Sequence, residues 1–146
     1  MERTFIIVKP DGVARGLVGA VLERFERRGF RLLKLEVRTI DRGLAAEHYS
    51  HLKGRPFFEG LLDAITEGPS VLAVLEREDA IKVARNIVGA TNPSDALPGT
   101  VRGDLGGCLP RNVVHASDSR ESYEREVGLF FPGEAWLLEV QEAKQE

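Results

Sequence analysis

Apolar positions change period several times along the chain, and each change marks an element. Thr4-Phe5-Ile6-Ile7-Val8 is a β-branched and aromatic run that predicts a buried strand. It stops at Lys9-Pro10-Asp11-Gly12, a group of turn formers. Val18, Val21, Leu22 and Phe25 then recur at i, i+3, i+4 and i+7, the spacing of one helical face, so a helix is predicted from about Leu17 to Arg28. Gly29 suits the left-handed position just past its end. Leu33, Leu35 and Val37 alternate with Lys34, Glu36 and Arg38, which predicts a half-buried strand with one charged face. Asp41 can cap a short helix running to about Tyr49, and a second is expected over Phe58–Thr66. Val71-Leu72-Ala73-Val74-Leu75 is apolar throughout, as a central strand would be. Asp79 is placed to cap a helix over Ala80–Val88 that Gly89 closes.

Between Ala90 and Pro110 the periodicity is lost. The segment holds three prolines and four glycines, and a loop of about twenty residues inside a compact domain is uncommon unless it binds something. It reads as a binding loop. Val113-Val114-His115 predicts a short strand, and Asp118 with Glu121 three residues later resembles a capping box for a helix to about Phe130. Pro132-Gly133 ends that helix, and residues from about 135 read as a tail that a partner surface could order. The order β-α-β-α-α-β-α-loop-β-α fits an α+β class. Its expected form is a ferredoxin-like, split β-α-β arrangement: an antiparallel sheet with helices packed on one face. No repeat or linker interrupts residues 1–146, so one domain is expected.

Composition narrows the function classes. Hydrophobic residues at 42% and charged residues at 29% fit an ordinary globular protein. The net charge of −3 argues against nucleic acid as the main partner, which would call for a basic surface. Cys108 is the single cysteine, so no internal disulfide or cysteine-based metal site can form. No leader-like, lipidation or membrane-spanning pattern is present, and a cytoplasmic protein is the expectation.

Neither a Walker-type loop nor a G-x-G-x-x-G turn occurs, so any phosphate site must be built from side chains. Arg85, Thr91, Asn92, Arg102, Arg111 and Asn112 supply such groups around the loop. Guanidinium forks suit phosphate oxygens, although most arginines are merely solvated. His115 ends a strand just before a helix. A neutral imidazole there offers a nucleophilic nitrogen, provided a carboxylate fixes the tautomer, and Glu126 on the following helix is the candidate. His48 and His51 form an H-x-x-H pair, which is too few ligands for a metal, and packing is the preferred explanation. Cys108 reads as a loop residue.

The segment Asn112-Val113-Val114-His115-Ala116-Ser117-Asp118-Ser119 resembles the active-site signature of nucleoside diphosphate kinases. Thr4 to Gly12, Arg55-Pro56-Phe57-Phe58, Thr91 to Asp95 and Pro98 to Asp104 resemble further motifs of that family, in order, so the likeness runs from about Glu2 to Glu134. The resemblance implies a ping-pong reaction. A nucleoside triphosphate, such as ATP, passes its terminal phosphoryl group to His115, at Nδ1, and a nucleoside diphosphate then takes it. Mg²⁺ comes with the nucleotide, and side chains alone form no metal site. The resemblance places Arg85, Thr91 and Arg102 on phosphates and Tyr49 and Arg55 close to them. It assigns Lys9 and Asn112 to the sugar hydroxyls, with Lys9 also reaching the transferring phosphate. Glu126 orients His115. Phe57 stacks on the base with Leu109 opposite, and such stacking tolerates any base because every base has a π face.

The family's members self-associate, as hexamers or tetramers. Departures from the family pattern are Leu97 for a common lysine, Ala116 for a common glycine, and the stretch Gly106-Gly107-Cys108-Leu109-Pro110. They bear on loop rigidity, subunit contacts and the fit of Leu109. The rival reading is a non-catalytic nucleotide-binding or scaffolding member. The intact set Lys9, Arg85, Thr91, Arg102, Asn112 and His115 favours the enzyme.

Overall fold

A computed structural model describes residues 1–139 of the protein. Its elements are β1 (Glu2–Val8), α1 (Pro10–Ala14), α2 (Val18–Arg27), β2 (Arg31–Arg38), α3 (Arg42–His48), α4 (Phe58–Thr66), β3 (Ser70–Arg77), α5 (Ala80–Val88), α6 (Val101–Leu105), β4 (Val114–Ala116) and α7 (Arg120–Phe130). Short 3-10 turns at Ser50–Leu52, Pro93–Asp95 and Ala135–Leu138 punctuate the connections. The strands form one sheet in the order β2-β3-β1-β4, with every neighbouring pair antiparallel. This is the ferredoxin-like α+β architecture expected from the order of elements.

Helices cover both faces of the sheet, not one. Ile6, Val8, Ala73 and Leu75 pack with Val21 and Phe25 of α2 and with Ala84 and Val88 of α5. Phe5, Ile7, Leu72 and Val74 point the other way, onto Ala45 of α3, Leu62 and Ile65 of α4, and Val127 and Phe130 of α7. The cause is visible in the runs themselves. β1 and β3 are apolar at successive positions, and successive side chains face opposite sides, so both faces demand cover.

Several local expectations change. Lys9-Pro10-Asp11-Gly12 starts a helix, α1, because proline at its first position has a fixed φ and no N–H to leave unpaired. Asp41 caps α3 as expected, its Oδ1 accepting from the Leu44 N–H at 2.9 Å. Asp79 does not cap α5: it adopts φ 54°, and Oε1 of Glu2 accepts from the Ile81 N–H at 2.7 Å instead. The cap of α7 is Ser119, whose Oγ accepts from the Ser122 N–H at 3.0 Å, while Asp118 takes the Ser122 hydroxyl. The loop from Ala90 to Pro110 contains α6, capped by Thr100 Oγ1, which accepts from the Gly103 N–H at 3.0 Å. A Cβ on Gly103 would lie 2.0 Å from the Leu97 carbonyl oxygen, so that crossing requires glycine.

β2 is the instructive difference. A bulge between Leu32 and Lys34 reverses which side chains face the core. Lys34 and Arg38 then lie over the Phe131 ring at 5.1 and 5.4 Å, and Lys34 Nζ donates to Glu134 at 2.8 Å. Leu35 and Val37 are left 49% and 66% exposed on the opposite face. The expected tail also packs on the protomer over its first residues. Leu137 is fully buried, and its carbonyl accepts from the Tyr123 hydroxyl at 2.6 Å. Residues 140–146 of that tail lie outside the described residues. No described helix is long and apolar enough to cross a membrane.

Candidate active site

β4 places His115 opposite Ile7 at the floor of a cleft of about 1010 Å³. Nε2 of His115 lies 2.6 Å from Oε2 of Glu126. Glu126 is buried because Tyr123, Val127 and Phe130 set the inward face of α7, and position 126 falls on that face. Its second oxygen, Oε1, accepts from the Ser117 hydroxyl at 2.6 Å, and Ser117 Oγ accepts from the Phe5 N–H at 3.2 Å. A buried chain of hydrogen bonds therefore runs from β1 through Ser117 and Glu126 to the ring. Among the described residues no hydrogen bond occupies Nδ1 of His115.

The backbone before the histidine is strained. Val113 has φ 74°, and the Val114 N–H donates to the Asn112 carbonyl at 2.9 Å, which defines a tight turn of a rare kind. A β-branched residue there is an outlier that needs support from its surroundings. Asp11 provides it, with Oδ2 accepting from the Val113 N–H at 3.0 Å.

Lys9, Arg85, Arg102 and Arg125 bring four cations to the same cleft, and Arg125 is engaged by the Glu47 and His48 carbonyls. Lys9 is 5% exposed and donates from Nζ to Asn112 Oδ1 at 2.8 Å and to the Pro110 carbonyl at 3.1 Å. Burial, with a smaller contribution from Arg102, lowers its pKa to about 8. Arg102 spends its Nη donors on the Gly89 and Val114 carbonyls at 2.9 and 2.6 Å, and its buried Nε has no partner among the described residues. Burial first, and Arg85 second, lower its pKa to about 10, so it stays charged at neutral pH. Arg85 donates weakly to the Ala116 carbonyl at 3.4 Å. Of the residues lining the cleft only Asp118 and Glu126 carry carboxylates. The cleft thus gathers positive charge with donors left over, which suits an anion.

Thr91, Asn112, Tyr49, Phe57 and Leu109 also line the cleft. Asn112 Nδ2 donates to the Thr91 carbonyl at 2.8 Å, tying the loop to the strand. Tyr49 is buried, and burial, aided by Glu126, raises its hydroxyl well above the usual phenol range, so it remains protonated. Phe57 and Leu109 are about half exposed, at 52% and 49%, and form the apolar part of the lining. Arg55 is the exception: it is exposed and is not among the lining side chains.

Sequence reasoning missed Ser117, Asp11 and His48. His48 is 2% exposed, its ring centroid is 4.8 Å from that of His115, and its Nδ1 is 3.7 Å from Glu126 Oε2. Burial first, then the proximity of His115, hold its imidazole pKa far below the ordinary range. The H-x-x-H spacing drew attention to the wrong neighbour, because His51 sits exposed on the following 3-10 turn. Only the folded chain brings position 48 to position 115.

A family model described as nucleoside diphosphate kinase matches residues 2–136. The nucleoside diphosphate kinase of Carboxydothermus hydrogenoformans is 57% identical over 137 residues, covering 94% of this chain and 92% of that protein. That of Archaeoglobus fulgidus is 56% identical over 131 residues, covering 90% and 87%. This chain belongs to the nucleoside diphosphate kinase family. Solved structures agree. A nucleoside diphosphate kinase from Halobacterium salinarum, in complex with CDP, superposes with TM-score 0.88 at 43% identity, covering 94% of this chain and 99% of that one. The apo enzyme from Encephalitozoon cuniculi gives 0.89 at 35% identity, covering 99% and 95%.

Leu97 is 73% exposed and Ala116 is buried in β4. A Cβ on Gly106 would meet the Arg102 carbonyl oxygen at 2.5 Å, so packing against α6 requires glycine there.

Proposed function

We propose that this chain moves the terminal phosphoryl group from a nucleoside triphosphate to a nucleoside diphosphate, with a phosphohistidine on Nδ1 of His115 as the intermediate. The 2.6 Å contact between His115 Nε2 and Glu126 Oε2 carries this reading. Because an ionised carboxylate only accepts, the contact supports a ring hydrogen on Nε2 and a lone pair on Nδ1. Attack by Nδ1 on the terminal phosphorus forms the N–P bond as the bond to the bridging oxygen breaks, and the diphosphate leaves. The ring becomes cationic, and the Glu126 carboxylate offsets that charge through the Nε2–H. An oxygen of the second diphosphate then attacks the same phosphorus, and the N–P bond breaks. One transfer is thereby split into two in-line steps.

Arg85, Arg102 and Thr91 are assigned to phosphate oxygens, with Tyr49 as a neutral donor beside them. Lys9 and Asn112, already hydrogen-bonded to each other, are assigned to the sugar hydroxyls, and Lys9 also to the transferring group. Phe57 and Leu109 are assigned to the two faces of the base. Arg55, two residues before Phe57, reaches the phosphates only if that wall moves inwards on binding. Mg²⁺ is the proposed cofactor, neutralising phosphate charge. The fit rests on Asp118, the exposed carboxylate of the lining, since Glu126 lies among imidazole nitrogens that Mg²⁺ does not favour.

The same reading takes residues 1–146 as one domain in a cytoplasmic setting, with nucleotides and not nucleic acid as partners. Self-association is part of the proposal. β2 is an edge strand with Leu35 and Val37 exposed on one face, and such an edge invites a second copy.

Incubation with Mg²⁺ and ATP labelled on the terminal phosphate should put an acid-labile, base-stable label on the protein, which GDP then removes as labelled GTP. His115→Ala should abolish both steps. Label that persists in that variant would move the nucleophile elsewhere.

A further inference from the structure

We infer that His48, His115 and Glu126 form a site for a borderline transition-metal dication such as Zn²⁺, and that its occupation silences the nucleophile. Among the described residues these three are the only group of metal-type ligands that converge, with one ligand atom from each lying within 4.8 Å of the other two. The second observation is independent of that clustering. Both ring nitrogens of His48 are buried without a hydrogen-bond partner among the described residues, and Nδ1 faces Glu126 Oε2 at 3.7 Å. A buried polar atom without a partner calls for an explanation, and an absent ion is one of the standard ones. Neither the transfer step nor the nucleotide contacts use His48.

The chemistry of the donor set selects the ion. Two imidazoles and one carboxylate match the His₂Glu sets of zinc sites with an open fourth position, and here that position faces the cleft. Bond lengths of about 2.0–2.1 Å imply ligand separations of about 3.3 Å in a tetrahedron. The 2.6 and 3.7 Å separations of the two imidazoles from Glu126 Oε2 bracket that value, and the imidazole nitrogens, within 4.8 Å of each other, draw together when the cation binds. Mg²⁺ does not compete, because it prefers an octahedron of oxygens. Side chains alone thus suffice for a softer cation, which residue spacing along the chain did not reveal.

Coordination and nucleophilicity exclude each other. The reaction needs hydrogen on Nε2 and a lone pair on Nδ1. A cation on Nε2 takes that lone pair position, and the single ring hydrogen of neutral His115 moves to Nδ1. Phosphorus then has no nitrogen to accept it. Binding does not depend on the proposed phosphohistidine, but inhibition does, and the two are measured apart.

Full-length protein in nucleotide-free buffer is titrated with Zn²⁺ against a chromophoric chelator, and with Co²⁺ by visible absorption. One equivalent should bind, with the strong visible bands of a four-coordinate Co²⁺ site. His48→Phe and Glu126→Gln should weaken binding by roughly tenfold or more, and His51→Ala should not. His48→Asn provides a second test should the phenylalanine variant fold poorly, as judged by its thermal transition. Zinc should also inhibit single-turnover labelling by ATP, reversibly with chelator, with the inhibition constant of each His48 variant raised relative to its own metal-free rate. Failure to bind one equivalent, or equal binding by the His48 variants, overturns the site. Binding of the expected pattern without inhibition would leave the site standing and contradict the nucleophile assignment.

Discussion

A single hydrogen bond decides what His115 can do. Glu126 is held from both sides, by the ring and by Ser117, so its carboxylate cannot turn away from Nε2 without breaking a buried network. Replacing it with glutamine keeps the shape and removes the charge that, in the proposed transfer, offsets the imidazolium. Steady-state kinetics of Glu126→Gln should therefore show kcat lower by about 10²-fold with KM little changed, as for loss of one charge-stabilising partner. A raised KM with unaltered kcat would mean that Glu126 helps binding and not chemistry. Residues of this kind were partly legible beforehand. That His115, Glu126 and the cationic side chains gather at one cleft follows from residue type and motif. Ser117 and His48 do not, because their value lies in contacts across 9 and 67 positions of sequence that no local pattern encodes.

At the scale of elements, periodicity carried most of the information. α4 and α5 run over the residues expected, since their apolar spacing is regular and Gly89 closes α5, even though Asp79 does not cap it. β2 shows where the pattern misleads. Its alternation is real, but one inserted residue exchanges the faces, and a bulge has no reliable signature in a single sequence. The consequence is an edge strand that leaves Leu35 and Val37 exposed, the surface proposed above for a second copy. The double variant Leu35→Lys/Val37→Lys should sediment as the 16.1 kDa protomer with an unchanged far-UV spectrum, whereas the parent sediments as a larger species. A parent that already sediments as the protomer would remove β2 as an association edge. α1 and α6 were hidden for a different reason: both are short and begin among turn formers, where proline at a first position or a threonine cap is easily read as loop.

For the whole molecule, the concentration of buried cations couples the site to stability. Lys9 releases its proton at about pH 8 when folded, against 10.5 for the unperturbed group. Below pH 8 both states carry the proton, and the folded chain bears the full cost of a buried charge. Between pH 8 and 10.5 the unfolded chain binds more protons, so stability rises with pH across that window. Denaturant unfolding of the wild type relative to Lys9→Met should show this gain between pH 7.5 and 10, on the order of 3 kcal/mol at most. A flat difference would place Lys9 in a better solvated environment. A nucleotide phosphate is the natural counter-charge for this arrangement, which explains why the fold tolerates it.

The ring nitrogen that takes the phosphoryl group distinguishes the proposed mechanism from its alternatives. The protein, phosphorylated with ATP and labelled with ¹⁵N in its histidines, can be analysed by phosphorus–nitrogen correlation NMR at alkaline pH. Phosphorus coupled to Nδ1 of His115 is the expected result. Coupling to Nε2, the nitrogen that Glu126 is held to occupy, would contradict it.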